Sequence, residues 1–518
     1  MSKGRCNEPQ PKWQPFIRPR AAVGATLLAA ALTAGPALAQ DDRSVTIVLS
    51  DEPSTLEPCE AMSDAIGRVT LHNVVEPLVQ RHPGTGDLQP GLATAWEQVD
   101  DVTWRFELRE GVTFHDGTPF DAEAAKRAID RSMNTNLTCQ VRTKFFGDRT
   151  LEVSVVDDHT IDITTEAPDP ILPLLMTTHT MYAPSAPFDE NTRDAIGTGP
   201  YRVADWAPGQ NIVLERYADY WGEAPEVERA EYQWRSESSV RAAMVQQGEA
   251  DLAPNIAIQD VTDEIGRAYP NSETVRLNLD ALTAPLDDIR VRAAINYAID
   301  RDALRGTVLS PDVMMATHLV LPQILGHNPE VEVPSYDPDV ARALIEDAAA
   351  DGVPVETEIE FVGRTGHFPG VQDFQEAVTA MMLDVGLNVR LQWYEAAQKN
   401  RMQVKPFFED RPPQIIVDQH DNNMGDASFT LYARWHSDGS FSRVSDPYLD
   451  WLIETGMQST GDQRVWAFQE AHERIVEAIM VDVMVVHMVG YAAVGPDIVF
   501  EPTLETNSAV RLSTIGFE

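Results

Sequence analysis

The chain counts 518 residues and carries 40 Lys and Arg against 81 Asp and Glu, a formal charge of −41. Such an excess of carboxylates repels phosphate groups and excludes nucleic acid and anionic membranes as partners; it serves solubility or steers a cationic ligand. The length admits two or three ordinary domains, and the twelve scattered histidines show no metal-ligand spacing.

Five cations, Lys3, Arg5, Lys12, Arg18 and Arg20, precede an apolar run over 21–32, then Gly35-Pro36 and the small-residue stretch Ala37-Leu38-Ala39. This is the order of a secretory signal peptide over 1–39, too short and too broken to span a bilayer. Cleavage is expected after Ala39, and Gln40 in place of Cys predicts a periplasmic protein without a lipid anchor. Removing five basic and one acidic residue from 40 and 81 leaves 479 residues with 35 basic and 80 acidic side chains, a formal charge of −45. Cys6 leaves with the leader. Cys59 and Cys139 stay in an oxidising compartment, where they form a disulfide or remain two buried thiols; the disulfide is the expectation.

Val45 to Leu49 is short, apolar and β-branched, which predicts a buried strand. Val102 to Leu108 alternates in period two, and the turn His115-Asp-Gly-Thr-Pro119 follows. Asp121 then caps a helix over 122–133 with Ala125, Ala128 and Ile129 on one face. Two further strands, 151–156 and 160–164, bracket Asp157-Asp158-His159. In the second half, Asp337 and Pro338 open a helix. A strand over 357–362, a helix bearing Phe374, Val378, Met381, Met382 and Val385, and a strand over 387–393 make a strand–helix–strand unit of a parallel or mixed sheet. Ser445-Asp-Pro starts another capped helix. The fold class is mixed α/β, without repeats, low-complexity tracts or long Gly/Ser linkers.

No catalytic signature is present: no G-x-S-x-G, H-E-x-x-H, Walker loop or G-x-G-x-x-G. His472-Glu473 lacks the second histidine, and neither mature cysteine carries a nucleophile motif. The residues thus predict a non-enzyme with no cofactor, no resident metal and no catalytic residue.

Five blocks carry a resemblance. They are Glu52-Pro-Ser-Thr-Leu-Glu-Pro58 with Asn73-Val-Val-Glu-Pro-Leu-Val79; Leu92-Ala-Thr-Ala-Trp-Glu with Trp104 to Phe120; Gly197-Thr-Gly-Pro-Tyr-Arg-Val203 leading to Tyr220-Trp-Gly222; Gly248-Glu-Ala-Asp-Leu252; and Asp288 to Arg301. In this order they resemble the family 5 extracellular solute-binding proteins, the peptide, dipeptide and nickel receptors of ABC importers. Each block also has a structural reading: Gly117 and Pro119, and Gly197, Gly199 and Pro200, shape turns, while Arg290 to Arg301 is an amphipathic helix.

The resemblance implies a two-lobed, cluster C-type periplasmic-binding-protein fold. Lobe I is expected over 41–276 with the return 488–518 and an extra subdomain inserted at about 82–195; lobe II is expected over 277–487. It also implies a monomer that captures a small ligand in the interlobe cleft, a short peptide or other amino-bearing solute, and delivers it to the membrane permease of an ABC importer. A nickel chelate, an opine or an oligosaccharide is the alternative cargo, and a secreted hydrolase or periplasmic chaperone the alternative class.

The segment Gln414 to Phe429 occupies the region where peptide-binding relatives carry an amine-binding Asp. Asp421 is the match, with Asp418, His420 and Asn422 beside it, or the segment is an Asx-rich turn satisfying its own backbone. Arg364 matches the carboxylate-gripping Arg of dipeptide-binding relatives, or serves an ion pair. Tyr394, Trp435 and His436 are expected to line the pocket from lobe II, and Met62, Ser63, Asp64 and the stretch His179 to Tyr182 from lobe I.

Overall fold

The computed structural model describes residues 43–518 except 62, 63, 84, 148, 365, 366, 369, 423 and 424. The expected leader, Met62 and Ser63 lie outside the described residues. Ser44–Leu49 pairs in parallel with Arg229–Trp234 on one side and with Leu252–Ala253 on the other. A strand flanked in this way needs apolar residues on both faces, and Val45, Ile47, Val48 and Leu49 are all buried.

Two long antiparallel strands, Gly266–Leu279 and Asp482–Val494, run through the middle of an eleven-stranded sheet. At about 3.3 Å per residue each reaches some 45 Å, enough to belong to two lobes at once. Their first halves pair as Gly266↔Ala493 to Pro270↔Val489 and their second as Thr274↔His487 to Asn278↔Asp482. Register breaks between Pro270 and Thr274, where proline offers no N–H to the ladder and a bulge bends the strand. On one side of the break the sheet continues into Ser44–Leu49 and the strands over 201–234; on the other it continues into Gln414–Asp421, Ile359–Arg364 and Val389–Tyr394. The last two strands are parallel, and the helix Val371–Asp384 connects them, the strand–helix–strand unit read from periodicity. Each half has its own apolar core.

A separate four-stranded antiparallel sheet, Ala93–Gln98, Thr103–Leu108, Thr160–Thr165 and Leu151–Asp157, packs with the helix Ala122–Met133. Asp121 caps that helix by accepting from Ala124 N at 2.9 Å. The quoted sequence blocks meet where this unit joins the first lobe. Buried Glu76 accepts from Thr198 Oγ1, Tyr220 OH and Trp221 Nε1, each at 2.9 Å. Burial lifts its carboxyl to about 7 against these three hydrogen bonds. Gly197 passes so close to the backbone of Val74 that a Cβ there would collide with the Val74 carbonyl oxygen. Glu57, fully buried, takes a bidentate grip from Arg131 at 2.7 and 2.9 Å and a backbone N–H from Thr192 at 2.6 Å.

Cys59 and Cys139 are bonded as a disulfide, with Cα atoms 4.6 Å apart and a sequence separation of 80. Closing a loop of that length stabilises by about 4.5 kcal/mol in the chain-entropy account. The double variant Cys59→Ser/Cys139→Ser is expected to lose about that much in urea unfolding, and dithiothreitol is expected to have no further effect on it. Among the described residues no helix is long and apolar enough to cross a membrane.

Candidate functional site

A cavity of about 630 Å³ opens where the long strands cross. Asn271, Glu273, Gln419 and the stretch 488–491 form its floor. The first lobe contributes 256–259, the loop that follows Leu252–Ala253, and the second contributes 306–311, Val313, His367 and Phe368. Gln414–Asp421 runs parallel to Ile359–Arg364, and both end at this crevice, the end of a parallel sheet where ligands are held.

Glu273 and Asp421 stand directly opposite each other on adjacent antiparallel strands, so their carboxylates project from the same face. Gln419, two residues along, donates through Nε2 to Glu273 Oε2, as does Asn271 Nδ2 at 3.3 Å. Ser272 Oγ donates to Asp421 Oδ1. Burial first, then the charges of Asp421 and Asp64, push Glu273 up to about 7. Asp64 reaches this pair from the first lobe. It keeps solvent contact but is surrounded by protein, and that partial desolvation, with Asp421, raises its carboxyl against the pull of Arg68. Three carboxylates from both lobes therefore act on one another, and Arg68 and Lys144 offset part of the repulsion at Asp64.

The opposite face of Gln414–Asp421 carries a buried cationic network. Asp418 receives Arg434 Nη1 at 2.7 Å, Gln403 Nε2 at 3.1 Å and Arg276 Nη2 at 3.2 Å, with Lys399 Nζ at 3.9 Å. Burial alone would raise Asp418, but Arg434, Arg276 and Lys399 outweigh it and hold the carboxyl well below the ordinary range. Arg276 also binds Asp482 through Nη1 at 2.9 Å. Arg434 donates to His420 Nδ1 at 3.2 Å, which leaves the His420 Nε2–H to donate to Thr430 Oγ1 at 2.7 Å and keeps the ring neutral. Asn422 donates to Thr430 Oγ1 at 2.7 Å.

The candidates named from sequence therefore separate. Asp421 faces Glu273, which lines the cavity, and Asp64 acts electrostatically on both. Arg364 ends its strand half-buried, with no hydrogen bond or ion pair among the described residues. Tyr394 closes the neighbouring strand and donates to Glu360 at 2.7 Å. Asp418, His420 and Asn422 are committed to the interior of the second lobe. Trp435 is a correction: it is fully buried in the second lobe's core, where its indole donates to Asp482 at 2.5 Å, and it lines no cleft. His436 is likewise corrected, being stacked on Tyr432 at 4.4 Å and bonded to Glu454 at 3.2 Å. The stretch His179 to Tyr182 belongs to the interior of the four-stranded unit, with Tyr182 under Arg131. Glu273, Asn271 and Gln419 were missed, because Pro270-Asn271-Ser272 reads as a turn and gives no sign of a strand crossing a cleft.

The lobes touch at the rim. Phe429 of the second lobe meets Phe145 edge to face at 6.4 Å, and Tyr491 on the crossing strand bonds Asp312 at 2.8 Å.

This architecture defines a two-lobed binding protein with a polar cleft at the crossing strands. The profile of bacterial extracellular solute-binding proteins, family 5 Middle, matches residues 87–442, and the chain belongs to that family of binding proteins. It is 27% identical over 351 residues to a dipeptide-binding protein and 28% identical over 350 residues to a nickel-binding periplasmic protein, both of Escherichia coli strain K12. Each match covers 61% of this chain and 65% of the relative's length. The structure of HbpA2 from Haemophilus parasuis superposes with a TM-score of 0.82 at 20% identity, over 92% of this chain and all of that one, a likeness of fold.

Proposed function

We propose that this protein is the exported solute receptor of an ABC importer, released by cleavage after Ala39 and closing its lobes on an amino-bearing solute such as a short peptide. The observation that carries this reading is the facing pair Glu273 and Asp421, joined from the other lobe by Asp64. Like charges opposite each other across strands destabilise a sheet. A ligand ammonium placed among them removes the repulsion and supplies charge-assisted hydrogen bonds, and it does so only when both lobes are in place. The family membership and the dipeptide-binding relative support the same cargo class. A bare metal ion is the weaker cargo, since among the described residues no group of His, Cys, Asp and Glu has metal-holding geometry.

The pH dependence tests this. Glu273 holds its proton up to about pH 7 in the empty protein, and an ammonium displaces that proton. Affinity for an unblocked dipeptide is therefore expected to rise as pH increases from 5.5 to 7, by up to about tenfold per unit. It is expected to fall again above about pH 8 as the peptide amine loses its own proton. Titration calorimetry in buffers of different ionisation enthalpy would register the released proton. An affinity flat across this range contradicts the ammonium reading.

A further inference from the structure

We infer that the cleft selects its ligand by the side chain of the residue that bears the free amine. It takes an apolar one, such as Leu, Ile or Met, between Ile256 and Ile258 of the first lobe and Val308 and Leu309 of the second. This rests on the amine-binding reading above and concerns the side chain on the carbon that carries the ammonium.

The floor of the cavity around Glu273 is polar, but much of its wall is not. The register pairs Pro270 with Val489 and Thr274 with His487, so Met488 and Val489 lie across the ladder from Asn271 to Glu273. Facing residues of an antiparallel pair approach to about 5 Å between Cα atoms. Apolar side chains therefore border the carboxylate that receives the ammonium. Val489 packs against both the second lobe's core and a first-lobe cluster that contains Ile256. Leu309 and Met488 belong to the second lobe's core and end at the cavity. Exposed Ile258 and half-buried Val308 complete the two walls.

Two polar groups set in these walls are satisfied by the protein itself. Ser310 Oγ donates to Tyr491 OH, which donates to Asp312 at 2.8 Å, so neither calls for a ligand atom. Apolar surfaces from both lobes thus face each other across about 630 Å³. Packed interiors leave few voids larger than a water molecule, so a space of this size between apolar walls is built to be filled. Water held there finds few partners on Ile256, Val308 or Leu309, and an apolar group that displaces it gains affinity. A residue whose ammonium sits at Glu273 carries its side chain only two bonds from that nitrogen, inside the same cavity.

The test compares Leu-Ala, Asn-Ala, Ala-Leu and Ala-Ala by calorimetry at pH 7.5, on the full mature chain. Leu-Ala is expected to bind about 50-fold tighter than Ala-Ala, because it buries three further carbons worth about fourfold each. It is expected to exceed Asn-Ala by at least as much, since Asn has nearly the shape of Leu but a polar amide. It is also expected to bind tighter than Ala-Leu. In the double variant Ile258→Thr/Val308→Thr, at two accessible positions, the Leu-to-Asn ratio is expected to fall below about tenfold. A wild-type Leu-to-Asn ratio near one, or Ala-Leu binding as tightly as Leu-Ala, overturns the inference and leaves the amine reading standing. A ratio unchanged in the double variant assigns the selectivity to other residues and overturns it as well. Equal binding of N-acetyl-Leu-Ala and Leu-Ala overturns the amine reading itself, and so does failure of all four free peptides to bind.

Discussion

Asp421→Asn is expected to weaken binding of an unblocked dipeptide by about 100-fold while making the empty protein more stable. The two effects share one cause. Asp421 lies opposite Glu273 on the neighbouring strand and its charge raises both Glu273 and Asp64, an arrangement that a ligand cation relieves. Removing one partner of a desolvated charge pair costs about 2–5 kcal/mol of binding, and the lower part of that range corresponds to about 100-fold. Removing one of two like charges facing each other across strands returns about 0.2–1 kcal/mol of folding stability. Calorimetric titration gives the first quantity and urea unfolding of ligand-free protein the second. A variant that loses both affinity and stability would mean that Asp421 serves the fold, through Ser272, and not the ligand.

Arg131→Met is expected to lower stability by about 3–5 kcal/mol. Arg131 and Glu57 are both wholly inaccessible, and the guanidinium grips both carboxylate oxygens while also holding the carbonyls of Pro187 and Glu190. With Arg131 gone, Glu57 keeps two backbone N–H donors, from Cys59 and Thr192, but its charge stays buried without a counter-ion. The double change Arg131→Met/Glu57→Leu is expected to recover much of the loss, because replacing both partners by apolar groups removes the uncompensated charge. Urea denaturation of the four proteins in this cycle measures the coupling. Additive losses would mean that each residue acts alone.

Much of the scaffold was legible in the residues. Val45 to Leu49, the helix capped by Asp121 and the helix opened by Asp337 appear where apolar periodicity and capping place them, and the strand–helix–strand unit expected over 357–393 appears over 359–394, each strand starting two residues later. Those signals are local, and burial enforces them. The quoted blocks also acquire a physical meaning that spacing alone lacked: Glu57 and Glu76 are buried carboxylates that gather donors from segments more than 70 residues away.

The cleft was less legible, because its chemistry depends on register between strands distant in sequence. Asp421 could be named, but that Glu273 faces it follows from a pairing across nearly 150 residues that no local pattern encodes. Trp435 illustrates the converse error. An aromatic near a candidate site suggests a pocket wall, yet Asp482 supplies a buried acceptor for its indole and draws it into the core. Which face of Gln414–Asp421 meets the cavity was equally hidden, and it separates Asp421 from Asp418 and His420.

The most direct test of the central claim compares one di- and tripeptide pool with its N-acetylated counterpart, each titrated against the mature protein and followed by native mass spectrometry at pH 7.5. Selective retention of free-amine peptides, abolished by acetylation and by Asp421→Asn, is the result expected of a cleft built around Glu273, Asp421 and Asp64. Equal retention of acetylated and free peptides would contradict it, since a carboxylate cluster gains nothing from a neutral amide.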